Sequence, residues 1–190
     1  MWKYDHLDDL QLGLLERGII DIGGEINSET GAYVRDALLR LIKKGSPDIT
    51  VFITSAGGSV SVALSIYDAL TLYKGKKTGI VMGFARSMAV IILQACDKRL
   101  AARHSEILIH HISHSKEVSL DMLRDKRKMD RIYKDLEENQ ELIYKILSSH
   151  TGRAIIEIRT ECRKEKGMSA EKAFAFGLID EIIEKPLESV

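Results

Sequence analysis

Ile80-Val81-Met82-Gly83-Phe84-Ala85-Arg86-Ser87-Met88-Ala89 reads as an apolar strand that turns sharply into a helix, with a serine at the join. Strand, turn, serine, helix is the geometry of a nucleophile elbow, and such a turn crowds the positions two before and two after the serine. Both positions are alanine, Ala85 and Ala89, so the small size of a Gly-x-Ser-x-Gly elbow is kept without its letters. The plainer reading of the same residues is a serine that caps a helix. The stretch therefore specifies an α/β fold and leaves the chemistry to other residues.

The same alternation repeats on both sides. Gly18 to Ile22 is a short strand, and Val34, Ala37, Leu38, Leu41 and Ile42 then recur at helical spacing. Ser28 is placed to cap that helix, and Gly45 followed by Pro47 ends it. A strand from Ile49 to Ile53, a turn through Ser55-Ala56-Gly57-Gly58 and a helix from Ser59 to Tyr73 follow, then a strand from Thr78 to Met82 and a helix from Ser87 to Cys96. Alternation of this kind predicts parallel pairing with right-handed crossovers. After a strand from Glu106 to His110, the run from about Ser119 to Ser149 lacks glycine and proline and reads as one long helix. At 1.5 Å per residue it would extend about 45 Å, enough to pack on another subunit. Gly152 precedes a helix through about Lys166; then come a short helix capped by Ser169 and closed by Gly177, and a last strand from Leu178 to Ile183. One domain is expected over residues 1–190, with a mobile start (1–16), a handle-like region (111–149) and a mobile tail after Lys185.

Composition narrows the function classes. The 190 residues carry 28 Lys+Arg against 28 Asp+Glu, and 45% are hydrophobic, which excludes a disordered or collagen-like chain. Zero formal charge and the absence of a basic stripe argue against a nucleic-acid partner. Cys96 and Cys162 form no Cys-x-x-Cys pair and are expected to be free, as in a reducing cytoplasm. The longest apolar run, Met88 to Leu93, is far short of the roughly 20 residues that cross a bilayer, and the start of the chain lacks a signal-peptide core, so no membrane partner is expected.

Three features bear on catalysis. Besides Ser87, the adjacent glycines Gly57 and Gly58 lie at the carboxyl end of a strand, the edge where open α/β sheets place their sites. The backbone N–H groups of Gly58 and Met88 could together form an oxyanion hole, although a tight turn alone also explains the glycines. His110 ends the apolar run Ile107-Leu108-Ile109, an anchored and accessible place for a general base. His104, His111 and His114 lie near it, yet no cysteine or carboxylate follows a zinc-motif spacing, so neither metal nor cofactor is expected. His6 and His150 need no more than solvated roles.

Five stretches, in order, resemble the proteolytic subunit of the Clp protease family: Ser55-Ala56-Gly57-Gly58 with Ser65-Ile66-Tyr67-Asp68, Gly83 to Ala89, Ile109-His110, His150-Thr151-Gly152, and Ala173 to Asp180. The resemblance runs from about Gly18 to Ile183. It implies a crotonase-like spiral of ββα units and a serine endopeptidase that cleaves peptides or unfolded proteins inside a chamber of two stacked seven-membered rings. By the same resemblance Ser87 is the nucleophile, His110 the base, and Gly58 and Met88 the oxyanion donors. The third triad position, an aspartate in the family, falls on Glu161, with Glu165 as the fallback. A Ser-His-Glu triad works on other hydrolase folds.

The chain departs from the family at several points. His111-Ile112-Ser113-His114-Ser115-Lys116 replaces a Gln-Pro pair and a glycine-rich strand on which substrates pair, and no glycine occurs between Ile112 and Thr151. Arg86 stands where a small residue is usual and brings a charge suited to an acidic or C-terminal substrate group. The start, which in the family forms an axial gate and docks a Clp ATPase, is shorter. The competing expectations are a weak or inactive ring subunit that regulates an active paralogue, a phage-type capsid maturation protease, and an acyl-CoA enzyme of the wider crotonase fold.

Overall fold

A computed structural model of the chain describes residues 7–113 and 124–184. Its central sheet runs β1 (Ile19–Ile26), β2 (Ile49–Gly58), β3 (Lys77–Arg86), β4 (Lys98–Ala102) and β7 (Glu181–Ile183), all parallel, in that spatial order. The expected α/β class and parallel pairing are therefore observed. β3 is where the sheet forks. Its first half, Thr78 to Val81, pairs with β4, and its second half, Phe84 to Arg86, pairs with β5 (Glu106–Leu108). β5 in turn takes β6 (Met168–Ser169) as an antiparallel neighbour. At the fork the end of β3 exchanges β4 for β5 while Ala85 stays paired with Ser55 of β2, and the residues after β5 come beside it.

Helices α1 (Asp9–Glu16), α2 (Ser28–Lys43), α3 (Val60–Leu72) and α4 (Met88–Gln94) pack around the sheet, and α5 (Lys126–Thr151), α6 (Ile155–Cys162) and α7 (Ala170–Phe176) complete the described elements. Every residue of α4 is buried, as expected of a helix apolar all round that lies inside the core. The buried apolar residues form one continuous cluster. Among the described residues, no helix is long and apolar enough to cross a membrane.

Several boundaries differ from the sequence expectation. Asn27, not Ser28, caps α2, its Oδ1 accepting from the N–H groups of Glu29 and Thr30. Residues 9–16 are helical rather than a mobile start: Asp8 and Gln11 form a reciprocal capping box, and Leu15 is buried in the core. Strands β2 and β3 each run about four to five residues further than apolar alternation suggests, because their last residues pair although they are small or polar. β4, with Lys98 and Arg99 inside it, carries no apolar signal before Leu100. α5 begins at Lys126 and extends about 39 Å; the earlier part of the expected helix, from Ser119, and the tail from Lys185 lie outside the described residues.

Candidate active site

Ser87 stands at the tip of β3. The pairing of Arg86 with Leu108 and the hydrogen bond from Ser87 N–H to the Leu108 carbonyl (2.8 Å) tie this tip to β5. Its backbone sits at φ 55°, ψ −126°, a conformation that costs an L-residue on the order of 1–3 kcal/mol and persists where the surroundings impose it. Those surroundings are Ala85 and Ala89, both fully buried, where any larger side chain would meet the core. The Ser87 side chain makes no capping bond to α4. The plain N-cap reading thus fails on geometry, and the strained turn leaves its hydroxyl uncommitted.

The glycine pair closes on this elbow from β2. Gly57 has φ +94°, and a Cβ there would lie 2.7 Å from Ser87 Cβ and 2.8 Å from the Arg86 carbonyl oxygen. A Cβ on Gly58 (φ +152°) would lie 2.3 Å from the Ile26 carbonyl oxygen. No other residue type fits between the two backbones. Ser55 fixes the approach, its Oγ donating to the Gly24 carbonyl (2.5 Å) while accepting from Gly57 N–H (3.1 Å). Met88 opens α4, so its N–H is among those a helix leaves without an internal partner.

Gly58, Ser87, Met88 and His110 line one cavity of about 60 Å³. Val60, Ile91, Ile109, Ile112, Ile143 and Leu147 give it an apolar wall. Its volume is far below the roughly 300–1,000 Å³ of a cleft for a whole small molecule, so it suits a single substrate side chain beside the reacting bond. Among the described residues, the His110 imidazole has no hydrogen-bond partner.

Among the described residues, Glu161 makes no hydrogen bond to His110 and does not line the Ser87 cavity. Its carboxylate accepts from Lys164 Nζ at 2.5 Å and faces a different cavity, shared with Arg153, Lys166 and Lys172. The physical reason is local: a lysine three residues on, just past the end of α6, reaches the carboxylate directly. Glu165 lies exposed beyond that end with a left-handed backbone, φ 45°. Neighbouring Cys162 is fully buried; burial, then the Glu161 charge, pushes its thiol up to about 12. Cys96, buried likewise, is also pushed up to about 12, and both cysteines are free.

Two further expectations change. Arg86 Nε donates to Glu106 Oε1 (2.8 Å), and its guanidinium lies 4.9 Å from the Phe84 ring centre, so the charge already has a partner within the chain. His150 is half-buried and engaged: its Nε2 is hydrogen-bonded to the Tyr67 hydroxyl (3.0 Å), and burial, reinforced by the Arg99 charge, holds its pKa below the usual histidine value. His111 Nδ1 is hydrogen-bonded to the Tyr144 hydroxyl (2.7 Å), and His114 lies outside the described residues. Tyr144 and Gln140, missed by sequence reasoning, border this region; their i, i+4 spacing on α5 was the available signal.

Comparison with known proteins agrees with this architecture. The profile of the Clp protease family matches residues 3–186. The ATP-dependent Clp protease proteolytic subunit of Carsonella ruddii is 30% identical over 186 residues, covering 96% of this chain and 92% of that protein. The subunit of the same name from Dehalococcoides mccartyi is 30% identical over 181 residues, covering 94% and 88%. The crystal structure of the ClpP protease catalytic domain from Plasmodium falciparum superposes with a TM-score of 0.78 at 28% identity, covering 95% of this chain and 92% of that one. A forked sheet with a strained serine at its tip and a family match across nearly every residue lead to one conclusion: the chain belongs to the Clp protease family.

Proposed function

We propose that this serine-type peptidase cuts peptides or unfolded proteins with Ser87 as nucleophile and His110 as general base. Ser87 Oγ adds to the scissile carbonyl while its proton passes to His110. The oxyanion formed is held by the N–H groups of Gly58 and Met88. His110 then returns the proton to the leaving amine, and water, activated by the same imidazole, hydrolyses the acyl-enzyme. The observation that carries this reading is the strained, uncapped Ser87 sharing a cavity with His110 and both amides. The apolar wall favours an apolar substrate side chain next to the cut. The direct test is turnover of a small peptide ester: the chain should hydrolyse it, and Ser87→Ala should not.

Ring assembly, by analogy with the family, fits the apolar side chains left exposed on the surface, Leu72 at 82% and Ile156 at 65%. A Clp-type ATPase partner rests on family resemblance alone, and the free buried cysteines suit a reducing compartment such as the cytoplasm. A second reading, a catalytically weak subunit that serves an active paralogue, draws on one observation: the Glu161 carboxylate is engaged by Lys164. Lys164 engages Oε2, so a Glu161 that also served His110 would share its carboxylate between the two.

A further inference from the structure

Resting on that reading, we propose that Tyr144 and Gln140 of α5 are positioning residues for His110: they grip the two residues that follow it and hold the imidazole in the Ser87 cavity. Upstream, His110 is anchored by β5, whose Leu108 pairs with Arg86 and accepts from Ser87 N–H, and by Ile109, which is buried. Downstream the chain leaves the sheet, and no described strand continues it. There the Tyr144 hydroxyl holds His111 Nδ1 at 2.7 Å, and Gln140 Oε1 accepts from Ile112 N–H, also at 2.7 Å.

Tyr144 and Gln140 are one turn apart and so present their side chains on the same face of α5. The same helix supplies Ile143 and Leu147 to the cavity wall, so one rigid element both walls the site and grips the segment that carries the base. The gripping side chains are themselves fixed. Tyr144 is buried, and the Arg159 guanidinium, paired with Glu141, lies 5.1 Å from its ring centre. Gln140 Nε2 is buried without a partner among the described residues. A leucine there would avoid that unspent donor, so the amide has its use in the carbonyl oxygen that Ile112 takes. Among the described residues, these two contacts orient the two residues that follow His110.

The test measures fluorophosphonate labelling of Ser87 and peptide-ester hydrolysis by the full chain, with thermal midpoints taken alongside. Tyr144→Phe and Gln140→Leu should each label about tenfold to a hundredfold more slowly, the scale of a misplaced catalytic group. Their kcat should fall while KM stays within about twofold, since binding is untouched. Gln140→Glu keeps the acceptor for Ile112 N–H and should restore most of the rate. Wild-type labelling in Tyr144→Phe and Gln140→Leu, or a Gln140→Glu rate no better than that of Gln140→Leu, would overturn the clamp while leaving the peptidase intact. A folded wild-type chain that never labels would overturn both.

Discussion

The elbow at Ser87 and the helix end at Glu161 are both expected to serve one imidazole, yet they are built differently. At the elbow the tight packing is from backbone and buried small residues: Gly57 against the serine, Ala85 and Ala89 around it, Leu108 accepting its N–H. These contacts tie the elbow to β2 and β5. At Glu161 the decisive contact is one flexible lysine, 54% exposed, three residues away. The Glu161 side chain is 14% exposed, so water reaches this contact from the lysine side. The contrast teaches that the proposed nucleophile and oxyanion donors are preorganised by the fold, whereas the proposed acid is held by a single side-chain pair.

The largest predicted effect lies on the rigid side. His110→Ala should lower peptide-ester kcat/KM by at least about a thousandfold, as removal of a catalytic base does elsewhere. Gly57→Ala, which drives a methyl group into Ser87 Cβ, should cost about a hundredfold by displacing the elbow from its oxyanion donors, and a visible drop in thermal midpoint should accompany it. On the flexible side, Glu161→Gln should cost less than about tenfold, against roughly 10⁴ where a triad acid is engaged. Lys164→Ala sharpens the comparison: a rate increase that Glu161→Gln then removes would show that the carboxylate can be recruited once its lysine is gone.

The smallest expected effect concerns pH. His150 has a folded pKa below its unfolded value, so the unfolded chain binds the extra proton in that window, and stability falls as pH drops below about 6.5 and is level above it. Thermal melts between pH 8 and 5 should show this slope, and His150→Asn should flatten it. At lower pH the Asp180 carboxyl contributes: burial alone would push it up, yet hydrogen bonds from the Arg99 side chain and backbone hold it below the usual range. That stabilisation is present above about pH 4 and is lost as the medium becomes more acid.

What the sequence makes legible follows the same division. The α/β alternation, the cap at Ser169, the left-handed close at Gly177 and the small residues around Ser87 are local matters of backbone sterics and periodicity, and they can be read from a few neighbouring letters. β4 escapes because its sheet position rests on Arg99, whose guanidinium is buried against Asp180, Gln94 and the Gly177 carbonyl, a network of residues distant in sequence. Asn27 as the true cap differs by one residue from Ser28 because both types accept equally well. Arg86 is illegible for another reason, since its partner Glu106 lies twenty residues away, whereas the pairing of Glu161 with Lys164 follows an i, i+3 spacing that the letters do show.

The most direct measurement is the intact mass of the full chain after reaction with a fluorophosphonate, with the modified residue located by peptide mapping. A single adduct on Ser87, absent from Ser87→Ala and strongly slowed in His110→Ala, is the predicted result. An adduct elsewhere, or labelling of Ser87→Ala at the wild-type rate, would contradict the claim that the strained serine at the tip of β3 is the nucleophile.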